Sequence, residues 1–140
     1  MTAPWTTDED PQVYGIARSG DLVHIRQAIR ALAQRCGLSL VDQTKMITAA
    51  SELARNTLIY GGGGTVRAGL VNANGRRGVA AVFEDTGPGI ADVEQAMTDG
   101  WTSGGGLGLG LSGARRLVDD FQLRTAPGEG TTVTIVKWAR

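Results

Sequence analysis

The feature that most limits what this chain can fold into is the run Ser103-Gly104-Gly105-Gly106-Leu107-Gly108-Leu109-Gly110-Leu111-Ser112-Gly113. Backbone this bare of side chains can bring several N–H groups close to an anion, and a helix that starts there adds a favourable dipole. A flexible linker would not place Leu107, Leu109 and Leu111 between its glycines. The run lacks a closing Gly-Lys-Ser/Thr, so it is not a P-loop. Residues 108–113 match G-x-G-x-x-G formally, but a loop precedes them where a dinucleotide fold needs a strand. The chain has 21 glycines in 140 residues, about twice the usual share of ~7%. They gather at 61–64, 87–89, 104–113 and 128–130. Such clusters between patterned segments mark loops that press backbone against something.

Between the clusters the pattern is readable. Residues 1–11 read as a mobile lead-in, and Val13 to Ala17 as a short strand. From Asp21, residues Ile25, Ala28, Ile29, Leu32 and Cys36 recur at helical spacing until Gly37 stops them. Ser39 is a candidate N-cap with Asp42 three residues on. A second helix follows from about Leu40 to Tyr60, with Ile47, Ala50, Ala54 and Leu58 on its inner side. Thr65–Val71 and Gly78–Glu84 read as strands joined at Asn74-Gly75, a strong hairpin signal. Residues 91–103 read as a loop with one helical turn. A helix begins near Gly110, carrying Leu111, Ala114, Leu117 and Val118. Phe121–Thr125 and Thr131–Trp138 close the chain as a hairpin across Pro127-Gly128-Glu129-Gly130.

Strands that do not alternate with helices exclude a Rossmann arrangement. Helices with one apolar stripe need a sheet with one apolar face. The expected fold is therefore α+β, a two-layer sandwich. Its mostly antiparallel mixed sheet is covered on one face by about three helices. It forms a single domain over 12–140 behind the lead-in of 1–11.

Bulk properties narrow the class further. A chain of this length supports one real core, and 41% hydrophobic residues is ordinary for a globular protein. Fourteen basic residues balance fourteen acidic ones, and no basic run offers a footprint for nucleic acid. No apolar stretch reaches the ~20 residues that span a bilayer. The one cysteine, Cys36, cannot form an internal disulfide and sits in an apolar pattern as a small hydrophobe. These features point to a cytoplasmic protein with no membrane or nucleic-acid partner.

Three further segments carry chemistry. Glu52 and Asn56 are four apart and share a helix face. Taken alone, they read first as a solvated polar pair. The alternative is a carboxylate that takes a proton from a nucleophile beside a carboxamide oxygen suited to magnesium. In Glu84-Asp85-Thr86-Gly87-Pro88-Gly89, a turn alone explains Gly87, Pro88 and Gly89. It does not explain a carboxylate where an apolar strand leaves the core. An ionised carboxylate accepts hydrogen bonds only, so Asp85 suits the amino group of adenine and would repel the carbonyl of guanine. Gly130-Thr131 opens the last strand and by itself is an ordinary turn.

In this order and spacing, the four segments resemble the ATPase superfamily shared by DNA gyrase, the heat-shock chaperone, sensor histidine kinases and the mismatch-repair ATPase. Glu52 and Asn56 match its N box, and Asp85 to Gly89 its first glycine box. Gly106 to Leu111 match the second glycine box, and Gly130-Thr131 a late Gly-Thr element. The likeness covers about Val13 to Trp138. Within the superfamily the chain resembles the small serine protein kinases that regulate alternative sigma factors in bacteria, and among them the stressosome switch kinases. Val41-Asp42-Gln43, Ser51 to Asn56, residues 106–111, and Lys137-Trp138 with Arg140 carry that likeness.

The resemblance implies ATP and Mg2+ as cofactors, with Asn56 on the metal and Glu52 as catalytic base toward a serine hydroxyl. Asp85 would read adenine with support from Thr131, beside Gly87 and Gly89. Gly104, Gly105, Gly106, Leu107, Gly108, Leu109 and Gly110 would hold the phosphates under a lid at 90–103. The implied substrate is a STAS-type antagonist, with a PP2C-type phosphatase or a sigma factor as further partners. One departure matters. Several such kinases carry a basic residue just before the second glycine box, whereas Trp101 to Gly106 contains no Lys or Arg. A binding switch with little turnover is therefore the second reading. A sensor histidine kinase fits poorly, since His24 is the single histidine and reads as an ordinary helix-surface residue.

Overall fold

The computed structural model describes residues 6–7, 11–97 and 110–140. Its six strands form one sheet. They are β1 (Thr6–Thr7), β2 (Gln12–Ile16), β3 (Gly64–Ala73), β4 (Arg76–Asp85), β5 (Asp120–Thr125) and β6 (Thr131–Trp138). The order is β1-β3-β4-β6-β5, with β2 also paired along β3. All described pairings are antiparallel, so the sheet is more uniform than the mixed one anticipated. Thr6–Thr7 lies opposite Val71 and Asn72, which ties part of the supposed lead-in to the sheet. The β3–β4 hairpin turns at Asn74 (φ 53°) and Gly75 (φ 79°). Two successive left-handed residues make the turn that matches strand twist, which is why Asn-Gly stands there.

The helices are α1 (Asp21–Arg35), α2 (Leu40–Ile59), the single turn α3 (Val93–Ala96) and α4 (Leu111–Leu117). The Ser39 hydroxyl accepts the Asp42 N–H at 3.1 Å and caps α2. α2 packs against α1, α4 and the sheet. The main core lies between the layers. Ile25, Ile29, Met46, Leu53, Leu111 and Ala114 from the helices meet Val66, Leu70, Phe83, Val133 and Ile135 from the strands. Full burial of each such large side chain is worth about 1.5–3 kcal/mol. Ala50 and Ala54 are buried as anticipated, whereas Ile47 and Leu58 only border the core. Cys36 is buried, and loss of solvation pushes its thiol up from the usual range. His24 is exposed.

A smaller cluster of Val71, Ala80, Val136 and Trp138 sits apart from the main core. Residues adjacent along a strand point to opposite faces, so these side chains occupy the sheet face away from the helices. The Trp138 indole covers Gly78, where an added Cβ would come within 2.7 Å of the ring. Its N–H donates to Asp120 at 2.7 Å.

Candidate nucleotide site

Register places the site. Gly64, Asp85 and Thr131 are neighbours across β3, β4 and β6. They share strand parity with Val66, Phe83 and Val133, so all three lie on the helix-covered face. At Gly64 the lack of a side chain admits the methyl of Thr57 from α2. Asp85 is thus a half-buried carboxylate at the end of the covered face, under the last turn of α2.

That turn ends against Asp85. The Asn56 carbonyl accepts from the N–H groups of both Tyr60 (2.9 Å) and Gly61 (3.1 Å). The chain then passes so close to Asp85 that a Cβ at Gly61 would collide with the carboxylate. One Asp85 oxygen, Oδ1, accepts the Gly87 N–H at 2.9 Å. The Tyr60 hydroxyl donates to the Gly89 carbonyl at 3.1 Å, fastening the glycine turn to α2.

Thr125 holds the other side. Its hydroxyl accepts the Ile90 N–H at 2.9 Å and donates to the Gly130 carbonyl at 2.9 Å. It also lies 3.0 Å from the hydroxyl of buried Thr131. The Gly128 N–H donates to the Pro88 carbonyl at 2.7 Å, so the closing hairpin and the first glycine turn are stitched together.

Glu52 and Asn56 lie further along α2, both half-buried. Gly110 starts α4 in the left-handed conformation, with φ 69°. A Cβ there would stand 2.8 Å from Glu52 Oε2, so the left-handed backbone favours glycine and a side chain would also push the Glu52 carboxylate aside. The opposite oxygen, Oε1, meets Arg55 Nη1 at 3.3 Å. α2 therefore forms one wall, with Glu52 at the second glycine box and Gly61 at the first. This puts a carboxylate and a carboxamide, the latter of the kind magnesium accepts, along one helix, with the acceptor-only carboxylate of Asp85 at the end of β4 beside the C-terminal end of that helix. Gly104, Gly105, Gly106, Leu107, Gly108 and Leu109 lie outside the described residues.

Sequence reasoning missed Thr57, Tyr60, Gly61 and Thr125. Tyr60-Gly61 reads in the sequence only as the end of a helix, and no local pattern marks Thr125 as the junction of two turns. A separate cavity of about 350 Å³ is lined by Met97, Ser112, Arg115 and Arg116. Among the described residues, none of the predicted site residues lines it. Among the described residues no three His, Cys, Asp or Glu side chains gather to hold a metal. No helix there is long and apolar enough to cross a membrane.

Residues 41–139 match the family of histidine kinase-, DNA gyrase B- and HSP90-like ATPases. The chain belongs to this family. The match takes in Glu52, Asn56, Asp85 and Thr131, the residues the fold brings to α2 and the neighbouring strand ends. The chain is 42% identical to the serine/threonine-protein kinase RsbT of Bacillus subtilis, over 94% of its own length and 98% of the relative's. It is 30% identical to the anti-sigma F factor of Pasteuria penetrans, over 80% and 79% of the two chains. A crystal structure of the RsbU and RsbW domains of Rv1364c from Mycobacterium tuberculosis shares the fold, with a TM-score of 0.62 at 19% identity. That likeness covers 94% of this chain and 33% of the longer one.

Proposed function

We propose that this chain, a protein serine/threonine kinase by its relationship to RsbT, phosphorylates a STAS-type antagonist in a cytoplasmic bacterial partner-switching pathway. The observation that carries this reading is Glu52, held on α2 against Gly110 with Asn56 one turn away. In the step proposed, Glu52 takes the proton of a serine or threonine hydroxyl as its oxygen attacks the γ-phosphorus of ATP. The new O–P bond forms, the bond from Pγ to the bridging oxygen breaks, and ADP leaves with the electron pair. Asp85 accepts the adenine amino group, and Thr131 supports it from the neighbouring strand. Asn56 would hold Mg2+, which neutralises phosphate charge when bound. Phosphoryl transfer depends mainly on positioning and charge, and the chain supplies a rigid α2 for the first.

Incubation with γ-labelled Mg-ATP and each STAS-domain protein of the source genome should label one serine or threonine. Glu52→Gln should cut labelling by roughly 10²-fold or more while ATP still binds. Full labelling by that variant would remove Glu52 as the base.

A second reading rests on the composition of Trp101 to Gly106, which lacks a cation for the terminal phosphate. In that reading the domain holds nucleotide and controls a PP2C-type phosphatase or a sigma factor by docking. Partner activation that survives Glu52→Ala unchanged would favour it.

A further inference from the structure

Arg55 reaches back one helical turn to Glu52, with Nη1 3.3 Å from Oε1. At about 100° per residue, Arg55 lies roughly 60° to one side of Glu52 on the helix, and Asn56 roughly 40° to the other. The Glu52 carboxylate is bracketed: Arg55 takes Oε1, and the bare backbone of Gly110 stands against Oε2. Both partners of the pair are substantially exposed, at 50% and 40%, so solvent screens it and it contributes little to stability. Its consequence is geometric. A glutamate has several rotatable bonds, and without a second contact its carboxylate would sample orientations that do not face a hydroxyl at the phosphate end.

We propose that Arg55 is a positioning residue for phosphoryl transfer, orienting Glu52 toward the attacking hydroxyl. This rests on the reading of Glu52 as the base. It gives the chain a role for a cation beside the second glycine box, fixed on α2, where the lid sequence 101–106 supplies none.

The test measures transfer of γ-label from Mg-ATP to the STAS-domain acceptor and to water, with ATP affinity and melting temperature recorded for each variant. Arg55→Ala should lower kcat about tenfold, the scale of loss from a small misplacement of a reacting group, and leave ATP affinity and melting temperature unchanged. Arg55→Lys should recover part of the rate. In a Glu52→Gln background, Arg55→Ala should cause no additional loss, because residues acting as one unit are not additive. A loss below threefold in the native background overturns the proposal. An equal loss in both backgrounds also overturns it, since Arg55 would then act on the phosphate itself while Glu52 keeps its role. Native-like transfer by Glu52→Gln alone overturns the base reading instead, and is distinguished by that single variant.

Discussion

At one end of the β4–β6 ladder Asp85 faces Thr131, and at the other Gly78 faces Trp138. The first end is held by backbone carbonyls, hydroxyls and close glycine contacts, and its carboxylate is half-buried. The second is held by charge and aromatic bulk. Lys137 is buried, with Nζ 3.6 Å from Asp42 and 3.7 Å from Asp119. Arg140 adds contacts of 3.8 Å to Asp42 and 2.6 Å to Asp119. The Trp138 N–H and its indole are taken up by Asp119 and Asp120. The same helix, α2, has its capped N-terminus at the charged end and its glycine-bounded C-terminus at the site. The charged end thus closes on its own side chains, whereas the other end keeps the Asp85 carboxylate partly exposed.

The largest expected effect attacks the charged end. Lys137→Ala leaves the carboxylates of Asp42 and Asp119 short of a buried partner, and losses of about 3–5 kcal/mol are typical when one side of a buried pair is removed. Denaturant unfolding should show this, while ATP affinity of the folded fraction stays native. A loss of affinity equal to the loss of stability would mean the two ends are not separable.

Asp85→Asn tests the opposite end. The amide can present a donor where adenine needs an acceptor, and a hydrogen bond to a charged group is worth about 1.5–3 kcal/mol, so affinity should fall at least about tenfold. Melting should shift little. Unchanged ATP binding by titration calorimetry would take Asp85 out of the site.

Tyr60→Phe is milder. It removes the bond to the Gly89 carbonyl and should cost about 0.5–1.5 kcal/mol, read as weaker ATP binding with the core intact. An equal fall in global stability would make Tyr60 part of the scaffold.

The smallest effect is at Asp21. Its carboxylate accepts the N–H groups of Ala17 (2.8 Å) and Arg18 (3.1 Å) just after β2. Those bonds hold its carboxyl below the ordinary value of 3.8. A folded value lower than the unfolded one stabilises the protein above pH 3.8, and that contribution disappears as pH falls through the lower folded value. Native protein should therefore exceed Asp21→Asn slightly in urea midpoint at neutral pH, with the two converging in acid. A difference independent of pH would point to a cause other than the carboxylate.

The local patterns gave α1, α2, both hairpins and the cap at Ser39, because each depends on contacts within a few residues. The stripe on α2 was less legible. Met46, Ala49, Leu53 and Thr57 are buried along with Ala50 and Ala54, a single stripe at helical spacing that lies to one side of the line through Ile47 and Leu58, because the contacts with α1, α4 and the sheet set which face turns inward. Among the candidate site residues, the Asp85 turn is notable by itself for a carboxylate where an apolar strand leaves the core, whereas Glu52 and Asn56 read alone as a solvated pair and gain a role only from the resemblance of the four segments together. Thr125 does not stand out, because a threonine in an edge strand is common and its three bonds come from segments as far as 35 residues away.

By itself, then, the sequence determined the elements and the residue types available to a nucleotide. It also held Val41-Asp42-Gln43 and Lys137-Trp138 with Arg140 as separate signatures. Only the tertiary structure decided that these meet, because antiparallel pairing carries β6 back beneath the start of α2 and makes one charged cluster from two ends of the chain. It likewise decided that Gly61 lies against Asp85. A helix end and a strand end share no periodicity, and only the packing of the helix layer on the sheet sets the distance between them.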